Sequence, residues 1–522
     1  LMLRDYSELV PEEYRDYDRG ALIAPKGQAD PKGQAAPVTP QPAEQCNKQC
    51  EILKDALDAH KAEIATETEY GHVRLADLPI GSSQESKRVA RFTIGTIQNG
   101  WTAGEVDYLC DGVDDQEEII QALNDLPATG GEVVILDGTY NITASINIPK
   151  DNVSLRGNGN ATILKRMYDS TDTDSGPTAR GLITLSEKSS CKIQDLQIDG
   201  NGTTYTASYN CGIYLSSSSN NTVTGNTCNN NSNTDKIRYG YGIYLDSSSS
   251  NNTITGNTCN NNSDGIFLVL SSDNTVTGNT CNNNSDGIDL FESSNNIITG
   301  NTCNNNGYGI HFYGASNNTI IGNICNNNSN YGIYLVSSSD NTVTSNTCND
   351  NSYEGIDLLE SSNNMITGNT CNNNIYGIYL SSSSNNTVTG NTCNNNNSRG
   401  IYLYSSSSNN TITGNTCNNN NAGIYLSSSS NNTVTGNTCN NNSYGIYLSS
   451  SSNNTVTGNT CTRGTGQTSD YTSDQYTIRL GGSSNNYNLI SSNNCMGKAV
   501  VVEGGTGNSA WGNKFDDTDD LP

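Results

Sequence analysis

Asn431-Asn432-Thr433-Val434-Thr435-Gly436-Asn437-Thr438-Cys439-Asn440-Asn441-Asn442-Ser443-Tyr444-Gly445-Ile446-Tyr447-Leu448 is one copy of a unit that recurs, with small variations, from Cys228 to Cys461. Its marker cysteine falls at 228, 259, 281, 303, 325, 348, 371, 393, 417, 439 and 461, so successive copies lie 31, 22, 22, 22, 23, 23, 22, 24, 22 and 22 residues apart. A unit this short cannot bury its own apolar side chains, so neighbouring copies must stack and share a core.

Each copy carries two short alternations, Ile-x-Leu (Ile424, Leu426) and Val-x-x-Asn-x-Cys (Val434, Asn437, Cys439). Period-two patterning with β-branched Val, Ile and Thr predicts strands, and the Gly, Asn and Ser between them supply turns. A coil of about 22 residues with two or three short strands is one rung of a parallel β-helix; helical repeats are longer and leucine-rich repeats denser in Leu. Rungs about 4.8 Å apart make the eleven copies a rod section on the order of 50 Å long. The expected fold is all-β, a right-handed parallel β-helix with ~22-residue rungs, preceded by a linker and a short coiled coil. The chain is only 33% hydrophobic, which by composition resembles disorder, but strictly periodic apolar positions exclude that reading for the repeats.

Stacked rungs align equivalent residues. Val/Ile, Leu and Cys then form inward columns, and the Asn of G-N-T-C forms an amide ladder. In-register cysteines point in parallel, poor geometry for a disulfide, and the repeats hold no C-x-x-C pair or Cys/His cluster for zinc. They read as reduced, buried thiols suited to synthesis in a reducing cytoplasm.

Outside the repeats the composition changes. Residues 1–19 are charged and Tyr-rich and read as a docking peptide; 20–45 form a Pro/Ala/Gly/Gln linker with tandem Lys26–Pro31 and Lys32–Pro37. Cys46, Cys50, Leu53, Leu57, His60 and Ile64 follow a/d spacing, which predicts a short coiled coil over 46–66; a lone amphipathic helix is the alternative. Residues 67–104 read as a connector. In 105–210, a cap and irregular rungs, Asp114-Asp115 is expected to N-cap a helix through Leu123 that covers the first rung. Regular repeats fill 211–461, and 462–522 holds an insertion at Thr462–Tyr476, a C-terminal cap and an acidic tail. A net charge of −26 argues against nucleic-acid binding. No apolar stretch approaches the ~20 residues of a membrane span. No signal peptide is visible, which fits release by lysis within an assembly.

Two segments resemble known families. Asp114-Asp115, Gly130-Gly131, Val134 and Gly138-Thr139-Tyr140, followed by the rungs, resemble the start of the pectin-lyase-like right-handed β-helix superfamily. Leu57–Glu63 with Ala65–Leu75 is similar to a segment of tail-fibre proteins in phages of Gram-positive bacteria. The resemblance implies a tail-fibre or tailspike protein: a homotrimer anchored to a tail or baseplate through residues 1–45, located on the virion tail, presenting its rod to host surface polysaccharide.

The x of G-I-x-L should point outward and stack as Tyr214, Tyr244, Phe267, Asp289, His311, Tyr334, Asp357, Tyr379, Tyr402, Tyr425 and Tyr447. An aromatic stripe can stack sugar rings, and the interruptions put Asp289 about 5 Å from His311, with Glu292 and Glu360 three residues beyond the two aspartates. The candidate saccharide-binding set is Asp289, Glu292, His311, Tyr334, Asp357, Glu360, Tyr379 and Tyr402. Against it stands the ordinary reading of solvated carboxylates and tyrosines stacked on themselves. The superfamily's pectate lyases use a calcium-binding Asp cluster and a catalytic Arg, whereas Arg238 and Arg399 lie away from these carboxylates. No catalytic residue, metal or cofactor is assigned. The leading expectation is an adhesive tail fibre; a polysaccharide depolymerase and a bacterial carbohydrate-binding surface protein are the alternatives.

Overall fold

The computed structural model describes residues 90–170, 180–206, 209–232, 240–462, 476–496 and 500–515. The docking peptide, the linker, the coiled-coil heptads of 46–66, most of the 462–476 insertion and the acidic tail lie outside these residues.

The described chain is a parallel β-helix. Every strand pairing is parallel, and the strands assemble into sheets of 20 and 15 strands plus one two-stranded pair. The rung around Cys281 shows the plan. Thr275–Thr277 lies in the larger sheet, Thr280 makes a lone parallel bridge to Thr302 of the next rung, and Asp286–Phe291 lies in the 15-stranded sheet. Register is one-to-one: Val276 pairs with Ile298 and Ile288 with Ile310. The period-two pattern sends Ile288 and Leu290 inward, where they join Val276 and Cys281 with no solvent exposure. All fifteen cysteines of the described residues are free and buried, and burial pushes thiols such as Cys228 and Cys259 well above their ordinary range.

Most buried asparagines bond from rung to rung along the rod. Asn301, in the G-N-T-C position, accepts from the Asn279 backbone N–H at 2.9 Å and from Asn279 Nδ2 at 3.0 Å, and donates to Val276 O at 2.9 Å and to Asn323 Oδ1 at 3.0 Å. Two further buried asparagine columns run parallel to it, one through Asn274 and Asn296 and one through Asn284 and Asn306. A serine column links Ser271 to Ser293. Each bond contributes only about 0.5–1.5 kcal/mol net, but a buried orphan costs about 1–3 kcal/mol, so the columns are all-or-none. Two glycines serve the turns differently. Gly300 adopts φ 62°, and at Gly287 a Cβ would meet Gly309 O at 2.4 Å and Cys303 Cβ at 2.8 Å.

The solenoid opens earlier than position 105. Arg91–Thr96, in the expected connector, is already a strand paired with Tyr108–Cys110 and Gly131–Ile135, because Phe92-Thr93-Ile94 continues the alternation. The helix Gln116–Asp125 buries Ile119, Ala122 and Leu123 against these first strands. Asp115 is its N-cap residue but makes no capping bond; its carboxylate instead accepts from the Gly112 and Asn141 backbone N–H groups at 2.7 and 2.6 Å, tying loop to sheet.

Candidate functional site

The outer face of the 15-stranded sheet differs in chemistry from the Asn, Ser and Thr of the other faces. The expected column from Tyr214 to Tyr447 is in register throughout, each member paired with the next. It is not an open stripe of ring faces. Tyr379–Tyr402, Tyr402–Tyr425 and Tyr425–Tyr447 stack at 5.1, 5.1 and 4.8 Å, so each ring covers the faces of its neighbours. Arg399 lies over the rings of Tyr402 and Tyr425 at 4.1 and 4.5 Å.

A second column runs beside the first, two residues before each inward Ile, and sequence reasoning missed it. Strict alternation places residue 286 on the inner side, yet the register skips Gly287, pairing Asp286 with Tyr308 and Ile288 with Ile310. The glycine bend brings Asp286 to the same side as Asp289. The two columns touch again at Tyr308–His311, Tyr331–Tyr334 and Tyr376–Tyr379, with ring centroids 5.3, 4.7 and 5.5 Å apart.

Acidic side chains interrupt the aromatic columns at two places, the first including Asp264 one rung before Asp286. In the first, His311 Nδ1 lies 3.1 Å from Asp289 Oδ1 and 3.6 Å from Asp286 Oδ2, with Asp289 and His311 0% and 6% exposed. The His311 ring packs against Tyr308 and Tyr334, each 5.3 Å away, and those two rings lie 5.7 Å from each other. Burial alone would lower the imidazole's pKa, but Asp289 and then Asp286 outweigh it and hold the ring protonated up to about 10. The group is therefore an ion triad in which one cation is shared by two carboxylates. Three such ligand-type side chains could also hold a metal ion, but a cation on Nδ1 would have to displace the proton that both carboxylates share.

The second pair is Glu354 and Asp357, at the same two register positions, 6% and 5% exposed. Glu354 Oε2 and Asp357 Oδ1 have no hydrogen-bond partner, and no described Lys, Arg or His forms an ion pair with either residue. Burial raises Glu354 to about 7; burial and then the Glu354 charge push Asp357 well above the carboxylate range. Tyr334 and Tyr379 flank Asp357 on the neighbouring strands, and Tyr376 pairs with Glu354.

Of the eight candidate residues, the sheet thus aligns Asp289, His311, Tyr334, Asp357, Tyr379 and Tyr402 in one column. Glu292 and Glu360 do not join them. They sit past the strand ends at φ 45° and 51°, exposed at the turns, and the carboxylates beside the aspartates are Asp286 and Glu354.

A parallel β-helix with this rung plan defines a solenoid class. The "Right handed beta helix region" family model matches residues 133–281, 181–348, 331–461 and 376–520, and the chain belongs to this family. Among solved structures it is similar in fold to the pre-mature gene product 12 of bacteriophage phi29 (TM-score 0.55, 14% identity, 80% of this chain and 66% of that one). Further similar structures are the A-module of a mannuronan C-5 epimerase from Azotobacter vinelandii (TM-score 0.45, 19% identity, 70% and 94%) and the Dettilon tailspike protein (TM-score 0.44, 19% identity, 72% and 67%). No curated protein matches the chain in sequence.

Proposed function

We propose that this chain is a tailspike-like adhesin, a homotrimer held on a phage tail by residues 1–45, whose outer sheet face binds polysaccharide on the host surface. The observation that carries the reading is the outer face itself. Tyrosines, a His–Asp ion triad and an acid pair lie along the outer side of one sheet, while the buried amide and hydroxyl groups elsewhere bond mostly to one another from rung to rung. Tyrosine hydroxyls and acidic groups suit hydrogen bonding to sugar hydroxyls along a chain. The phage assignment rests on the 57–75 segment, and the fold shared with phage phi29 gene product 12 is compatible with it.

Adhesion is favoured over depolymerisation because the carboxyls of Asp289 and Asp357 are buried, and Asp289 is already engaged by His311. The test is binding of the purified full chain to host cells and to their extracted glycan. Saturable binding that periodate oxidation of the glycan abolishes, with no oligosaccharide released, is expected. Release that disappears in Asp289→Ala or Asp357→Ala would make the protein a depolymerase, and binding to cells with no binding to the extracted glycan would end the glycan reading. Sedimentation of the full chain is expected to give a trimer; a monomer would remove the trimeric assembly.

A further inference from the structure

The two acid pairs occupy equivalent places in the fold but differ in charge balance. Asp286 and Asp289 are followed, one rung on, by His311, whose Nδ1 reaches both carboxylates. One rung beyond Asp357 the same place holds Tyr379, and beyond Glu354 it holds Tyr376. The nearest cation along the second column, Arg399, is one rung further and lies against the rings of Tyr376, Tyr402 and Tyr425. Glu354 Oε2 and Asp357 Oδ1 are thus buried acceptors to which no described residue brings a donor.

The surroundings specify the missing cation. Calcium and magnesium need about six or more oxygens at short range, whereas this pair is bordered by aromatic rings. Tyr334 and Tyr379 sit one rung to either side of Asp357. Two rung spacings are about 10 Å, so a group midway lies about 5 Å from each ring, within the range of cation–π attraction. The cover over the carboxyls consists of half-buried tyrosines and Tyr353, which is 49% exposed, on the solvent-facing side of the sheet.

We propose that Glu354 and Asp357, walled by Tyr334 and Tyr379, form a subsite for a primary ammonium group on a saccharide, the free amine of a non-acetylated amino sugar. The ligand supplies from outside the cation that His311 supplies internally to Asp286 and Asp289. This subsite rests on the glycan-binding reading above and narrows it to a sugar class.

The test is calorimetric titration of the full chain at pH 6.5 with three probes: a β-1,4-linked glucosamine tetrasaccharide, its fully N-acetylated counterpart, and calcium chloride. The glucosamine oligomer is expected to bind at least tenfold more tightly than the acetylated one, and the Glu354→Gln/Asp357→Asn double variant is expected to lose that preference. Both replacements are near-isosteric and relieve buried charge, so an unchanged unfolding midpoint or a higher one certifies the variant's fold. Equal affinity for the two oligomers overturns the subsite while leaving glycan binding intact. Calcium binding that the double variant abolishes, without amine preference, overturns it in favour of a metal. Failure of both oligomers to bind overturns the subsite, and the binding experiment on host cells and their extracted glycan then decides the broader reading separately.

Discussion

The rungs at 286–311 and 354–379 begin alike and end differently. Both place a carboxylate two residues before the inward Ile and another one residue after it, and both bury the pair. In the first, His311 sets one cation against both carboxylates; the second faces tyrosines, and burial raises its carboxyl groups instead. The difference teaches that a buried acid pair has two stable solutions on a sheet face, an internal cation or partial neutralisation, and that the sequence of one neighbouring residue selects between them.

That contrast can be broken in order of expected size. Replacing His311 with Ala strands two buried carboxylates, and denaturant unfolding at pH 7 is expected to show a loss of roughly 3–5 kcal/mol; a loss under about 1 kcal/mol would mean the triad is not an ion pair. The pH dependence carries the sign. His311 has its folded pKa raised to about 10 from 6.5, so its stabilisation is complete below about 6.5 and is lost as pH rises through about 10. The stability difference between the wild type and His311→Asn is therefore expected to shrink from pH 6.5 to 10, with Tyr and Cys titrations cancelling between the two proteins.

The second pair is expected to respond in the opposite sense to mutation. Glu354 is raised from 4.5 to about 7, so folding with both carboxyls protonated is favoured below about pH 4.5, and that stability is lost as pH rises through about 7. Glu354→Gln/Asp357→Asn should accordingly stabilise the protein at pH 8 by on the order of 2 kcal/mol and change little at pH 4. Destabilisation at pH 8 would show that the pair already has a partner. Smallest of all, Tyr379→His copies the first solution onto the second pair. The introduced imidazole is expected to titrate above pH 8 by NMR, with net stability within about 1 kcal/mol of wild type because the stack on Tyr402 is lost. Titration at or below its ordinary value would break the equivalence of the two places.

The fold was readable because its signal is repetition: Cys281, Val276, Ile288 and Leu290 recur at fixed spacing, and stacking is the one way to bury them together. The Asn279–Asn301–Asn323 ladder was legible for the same reason, while the ladders through Asn274 and Asn284 were hidden in runs of asparagine whose members look interchangeable. The site was half legible. The column containing Asp289, His311 and Asp357 follows from alternation, but Asp286 and Glu354 do not, because alternation fails at Gly287 and Gly355, where close approach of the next rung bends the strand. Glu292 and Glu360 fall outside the column because the strand ends before them at a left-handed turn.

The interchangeability of the rungs has a genetic consequence. Since Val276, Cys281 and Asn301 meet near-copies of themselves above and below, a gene that gains or loses one 22-residue unit between two copies still encodes a continuous, hydrogen-bonded interior. Length is thereby a dial turned in steps of about 4.8 Å, with both ends untouched. Only the sparse odd residues, Asp289, His311 and Asp357, would register the change, because each insertion between them slides one charged group past the other along the shaft.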